Sequence, residues 1–168
     1  ELFPAVKQVG ILYCSSEPNS KYQAGKFEEA LKADGIAYKE YSAADTNEIQ
    51  SITSTAIGEC DVLYIPTDNT MASNAEVVKN IAVPAKIPVI AGEEGICSGC
   101  GVATLSINYY DLGYKSGEMA YDILVNGKNP GDMDIEFAPK TTKKYNKEIC
   151  DELGITVPED YVAIGSEE

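Results

Sequence analysis

Four short polar clusters hold most of the side chains in this sequence that could do chemistry: Ser15-Ser16-Glu17-Pro18-Asn19-Ser20, Thr67-Asp68-Asn69-Thr70, Glu93-Glu94 and Asn108-Tyr109-Tyr110-Asp111. Hydroxyls, amides and carboxylates grouped this way can recognise a small polar ligand through directed hydrogen bonds. Taken singly, each has a plainer use. Asn19 or Ser20 can cap a first helix and Asp68 or Asn69 a later one, because short oxygen-bearing side chains accept from the free N–H groups of a first helical turn. A further candidate is Cys97-Ser98-Gly99-Cys100. Such a pair becomes reactive where it opens a helix, and two such pairs hold zinc. Here it is expected in a loop ahead of a strand, and no second pair exists. A local disulfide or two inert thiols is therefore the expectation, with no metal and no cofactor. The chain has no His, which removes Ser-His and Cys-His nucleophiles and imidazole metal sites.

Each cluster follows an apolar run, and the runs define the elements that must position it. Residues 7–14 read as a buried strand. Ala24, Phe27, Ala30 and Leu31 recur at helical spacing before Asp34-Gly35, and residues 36–42 alternate as a second strand. Ile49, Ile52, Ala56 and Ile57 mark a second helix, residues 61–65 a third strand and residues 75–83 a third helix. Strands over 87–91 and 101–107 complete an alternation that predicts an α/β fold, a doubly wound parallel sheet. In such sheets ligands bind beyond the carboxyl ends of the strands, where the clusters fall. After Tyr110 the pattern changes. A long helix carrying Leu112, Met119, Ala120, Ile123 and Leu124 closes at Asn126-Gly127, a lone strand is expected over 132–138, a short helix over 147–153 and an extended piece over 161–164.

Two chemistries common at this edge lack their residues. A phosphoryl-accepting aspartate needs further acids after the first strand and a Lys after the fifth, where only Glu17 and Asn108 stand. Dinucleotide binding needs G-x-G-x-x-G after the first strand, and that loop has no Gly. A formal charge of −14 repels phosphate backbones and anionic headgroups, so nucleic acid is not an expected partner. The 168 residues, 44% hydrophobic, suit one domain or one lobe plus part of another. Five cysteines leave at least one unpaired within the chain. No apolar run approaches the roughly 18 residues of a transmembrane helix, and no signal-peptide pattern opens the chain. Glu1-Leu2-Phe3-Pro4 lacks a starting Met, as an excised domain or processed product would.

Three motifs in order carry a family resemblance: residues 9–13 before Ser16-Glu17-Pro18-Asn19-Ser20, then Tyr64-Ile65-Pro66-Thr67-Asp68-Asn69-Thr70, then Asn108-Tyr109-Tyr110-Asp111-Leu112-Gly113. Together they resemble the tryptophan/tyrosine-type substrate-binding proteins of bacterial ABC importers, over nearly the whole chain. The resemblance implies a type I periplasmic-binding-protein fold, two α/β lobes closing on a small, often aromatic amino-acid-like ligand, with no catalysis. Residues 5–107 would be one ligand-binding lobe. Residues 108–168 would hold crossing segments that partly pack on a first lobe absent from this sequence. Asp68 would pair with a ligand ammonium, Thr67 and Asn69 would orient it, and Ser16, Asn19 and Ser20 would take its carboxylate. Tyr109 or Tyr110 would stack on its side chain, and Asp111 would cap the next helix or reach the ligand. Glu17 is expected as a solvated or helix-dipole residue. The implied partners are a small-molecule ligand and an importer permease. The implied location is extracytoplasmic, with a lipid anchor outside this chain, and the isolated chain is expected to dimerise or to fold the long helix after Tyr110 back across its own cleft. Cys97 and Cys100 lie outside the family pattern. A ligand-sensing module of an extracytoplasmic receptor is the alternative reading.

Overall fold

The computed structural model describes residues 1–138 and 140–165. One seven-stranded sheet runs through it in the order β2-β1-β3-β4-β5-β6-β7. Its strands are β1 (Gln8–Cys14), β2 (Ala37–Ala43), β3 (Val62–Ile65), β4 (Val89–Ala91), β5 (Ala103–Ile107), β6 (Thr141–Tyr145) and β7 (Val162–Ala163). β1 to β5 are parallel throughout, as the helix–strand alternation predicts. β6 then adds antiparallel to β5, and β7 parallel to β6.

Helices cover both faces. On one lie α2 (Ile49–Ile57), α4 (Ala75–Ala82) and α5 (Glu94–Cys100), burying Leu12, Ile49, Leu63, Ile65, Val78, Val89 and Ile96 in a single cluster. On the other, α1 (Pro18–Ala33) packs Ala24 and Leu31 onto Val9, Ile11 and Tyr13. A third cluster joins α7 (Lys147–Leu153), through Ile149 and Cys150, to Val102 and Ala103 at the start of β5 and to Val83 after α4. Burial on both faces explains why these strands are apolar runs rather than alternating ones.

Two expectations are corrected. No strand forms over 133–138. The alternation Met133-Asp134-Ile135-Glu136-Phe137 has the period of a strand, but Ile135 and Phe137 are 85% and 83% exposed, and the free edge of β5 is taken by Thr141–Tyr145. The Cys97–Cys100 stretch is not a loop but the end of α5. Glu93 starts that helix, its carboxylate accepting from the Gly95 N–H at 2.7 Å and from the Ile96 N–H. Gly95 and Gly99 disguise it, since glycine is a poor helix former. A five-residue helix, α3 (Asn69–Ser73), was also not foreseen, and α1 begins at Pro18, whose fixed φ suits a first helical position.

β6, α7 and β7 return to the same sheet as β1 to β5. α6 (Tyr109–Leu124) behaves differently: none of its 16 residues is buried. It carries the segment after it through the Lys115–Glu136 ion pair at 3.1 Å and leaves Tyr110, Tyr114, Tyr121 and Leu124 exposed.

Candidate functional site

The carboxyl ends of β1, β3, β4 and β5 bring all four polar clusters to one edge. Two of the loops are locked together. Asp68 is the N-cap of α3, and its carboxylate accepts from the Met71 N–H at 2.8 Å and from the Cys14 N–H of β1 at 2.7 Å. It is 1% exposed, and burial raises its pKa against the pull of those two hydrogen bonds. Asn19 and Ser20 both donate to the Thr67 carbonyl, at 2.9 and 3.1 Å, and the Gln23 side chain accepts from the Thr67 N–H at 3.0 Å. These residues therefore hold the loop's backbone, and the Thr67 hydroxyl and the Asn69 amide oxygen form no hydrogen bond among the described residues.

Glu17 contributes most to this lock. One carboxylate oxygen accepts from the backbone and hydroxyl of Thr70, both at 2.7 Å, and the other from the backbone and side chain of Asn69, both at 3.0 Å. Burial would raise its pKa, but the four donors outweigh it and bring the group from 4.5 down to about 2. The expectation of a helix-dipole role holds, although the helix served is α3 rather than α1. Ser16 is exposed, with its hydroxyl 3.0 Å from the Cys14 sulfur.

Gly92, at the end of β4, was missed by the sequence reading. A Cβ there would lie 2.7 Å from the Thr67 nitrogen and 2.8 Å from the Pro66 carbonyl carbon, so only glycine lets the β3 and β4 loops pack together. Its signal in the sequence is slight, a glycine directly after a strand. At the end of β5, Asn108 caps α6 by accepting from the Tyr110 and Asp111 N–H groups at 2.8 and 3.3 Å. Asp111 is thus not the cap, and its carboxylate has no partner among the described residues. Tyr109 and Tyr110 are 55% and 77% exposed. Burial and the nearby Glu93 charge push the Tyr109 phenol up.

The thiols face inward. Cys97 and Cys100 are 0% and 1% exposed and unbonded, and burial with the Glu93 charge pushes Cys100 up to about 12. They sit in the last turn of α5, away from the N-terminal N–H groups that activate a thiolate. Among the described residues no group of three metal-ligating side chains converges.

Comparison with known proteins agrees with this geometry. The family model described as ABC transporter substrate binding protein matches residues 1–167. A tyrosine-binding protein of Clostridioides difficile is 36% identical over 147 residues, 88% of this chain and 42% of that protein. A Streptococcus pneumonia ABC domain solved with L-Trp is 34% identical, with a TM-score of 0.85 over 94% of this chain and 53% of the other. A ligand-free, open substrate binding protein with adhesive properties from Clostridium difficile is 38% identical, with a TM-score of 0.78 over 96% and 56%. The chain thus spans about half the length of these relatives. It belongs to the ABC transporter substrate-binding protein family.

Proposed function

We propose that this chain forms one lobe of an extracytoplasmic solute-binding protein that captures an aromatic, amino-acid-like ligand and presents it to an ABC permease. The observation that carries this reading is the convergence of four polar loops on one sheet edge, in a chain that matches a tyrosine-binding protein and an L-Trp complex over most of its length. A cleft needs a second wall, and the roughly half of each relative that this chain does not match is the source of that wall in this reading. Residues 5–107 with the returning strands supply the floor. The exposed side of α6 docks on the other lobe, and in the isolated chain it drives self-association.

In the cleft, Ser16, Thr67 and Asn69 orient the polar end of the ligand, and Tyr109 and Tyr110 stack on its ring. The expected Asp68–ammonium pair would require the loop to open, because Asp68 is 1% exposed beneath the loop with each oxygen turned to a backbone N–H group. Asp111 offers an uncommitted carboxylate on the same edge, so we place the ammonium there and assign Asp68, Asn19 and Ser20 to holding the loop. The test is mass spectrometry of small molecules released from the full two-lobe protein purified without added ligand, followed by titration with L-tyrosine and L-tryptophan. Saturable binding of either supports the reading. Binding of neither, with a different class of molecule released, overturns it.

A further inference from the structure

Glu17 stands 52 residues from Asn69 in sequence, yet its carboxylate is committed wholly to the start of α3. The first turn of that helix has three N–H groups near the cleft edge, those of Asn69, Thr70 and Met71. Asp68 accepts from the third, and Glu17 accepts from the first two. The division leaves no donor in that turn unpartnered. It has a second effect. Because the Asn69 side chain donates its NH₂ to Glu17, its amide oxygen must point away from Glu17. A neutral amide in place of Glu17 keeps one acceptor oxygen but sets its NH₂ against two of the four present donors, and with that NH₂ toward Asn69 the Asn69 side chain is released to turn over.

We propose that Glu17 is a positioning residue for ligand binding: by clamping Asn69 and Thr70 it fixes the Thr67-to-Thr70 loop before a ligand arrives and makes Asn69 present an acceptor to the cleft. Glu17 touches no ligand in this account. It acts through Asn69, and the proposal rests on the solute-binding reading above. Pre-organisation of this kind raises affinity because the loop's ordering cost is met during folding rather than during binding.

The test uses the full two-lobe protein with L-tyrosine and L-tryptophan as probes, in wild type, Glu17→Gln and Thr70→Val. Thermal unfolding first establishes that each variant is fully folded at the assay temperature, so that lost affinity is not lost fold. Glu17→Gln is expected to weaken binding at least tenfold and to speed amide hydrogen exchange at Asn69 and Thr70, with a smaller loss for Thr70→Val, which removes one donor of the four. Wild-type affinity in Glu17→Gln, or unchanged exchange at both amides, overturns the proposal. If the wild type binds neither amino acid, the functional reading fails, and hydrogen exchange alone then decides the clamp. If Glu17→Gln does not fold, Thr70→Val carries the test: wild-type affinity and unchanged exchange at Thr70 overturn the proposal.

Discussion

The loops at the sheet edge and the α6 arm answer the same physical demand in opposite ways. In the first region the loops are tied to one another: Asp68 joins α3 to β1, Glu17 joins the β1 loop to α3, and Gln23, Asn19 and Ser20 enclose the Thr67 peptide. In the second, a helix of 16 residues has no buried side chain and carries Gly113 and Gly117 in its interior. Isolated helices of that length are marginal in water, and glycine weakens them further. The sheet edge is organised by this chain alone. The arm leaves its tyrosines exposed and its glycines with open space beside them, the features that the proposed docking on another lobe would use.

That contrast fails if the lock is not energetically real. The largest effect is expected from Asp68→Ala, which removes a helix cap and strands the buried Cys14 N–H. The sum is a loss of about 3 kcal/mol in unfolding free energy. Urea unfolding of this chain measures it. A loss below about 1 kcal/mol would mean the loops are held by something other than the carboxylate.

Glycines sharpen the comparison because they should respond with opposite signs. Gly92→Ala forces a Cβ against the Pro66–Thr67 peptide and should cost about 2 kcal/mol. At Gly117 a Cβ meets nothing within 4 Å, so Gly117→Ala should stabilise this chain by about 1 kcal/mol through helix propensity. In the full two-lobe protein the Gly117 gain should vanish or reverse if, as proposed, the other lobe packs there. An equal gain in both proteins would show that this face of α6 stays open to solvent.

Acid should separate the two carboxylates of the lock. Glu17 has its pKa lowered from 4.5 to about 2 on folding, so its contribution to stability is complete above pH 4.5 and fades as pH falls toward 2. The stability difference between wild type and Glu17→Gln should therefore shrink over that window. Asp68 is shifted upward by burial, so its ionisation works against folding as pH rises above the ordinary aspartate value. A difference that stays constant from pH 5 to about 2 would contradict the clamp.

Much of this was legible in the residues because the dominant signals are local. Apolar runs bounded by turn residues gave the five parallel strands and both layers of helix, and the polar clusters fall together on one edge of the sheet, where the ligand is proposed to bind. What was hidden is long-range or masked. Ile135 and Phe137 read as strand because alternation reports only period, while a strand also needs a free edge beside it, and Thr141–Tyr145 occupied that edge. The Cys97–Cys100 segment read as a loop because its glycines hide a helix that the Glu93 carboxylate nucleates. Glu17 read as a solvated or helix-dipole residue, and nothing near it in sequence reveals that the helix it serves starts 52 residues away. The same distance disguised Asp68, which as a residue type fits an ammonium site as well as it fits a buried cap.

The smallest effect is expected at the thiols. Cys97→Ser with Cys100→Ser should leave ligand affinity in the full protein within about twofold, because both sulfurs are buried away from the cleft and neither sits at a helix N-terminus. Isothermal titration of the variant checks this, and lost binding in a folded variant would move the site toward α5.

The most direct test of the central claim, that this chain is one wall of a two-walled amino-acid site, is a calorimetric titration of L-tyrosine and L-tryptophan into the full two-lobe protein and, side by side, into this 168-residue chain. The account predicts saturable binding of at least one of them by the full protein and binding at least tenfold weaker by the chain alone, about 1.4 kcal/mol or more. Equal affinity in the two would make this chain a complete single-lobe receptor and contradict the account.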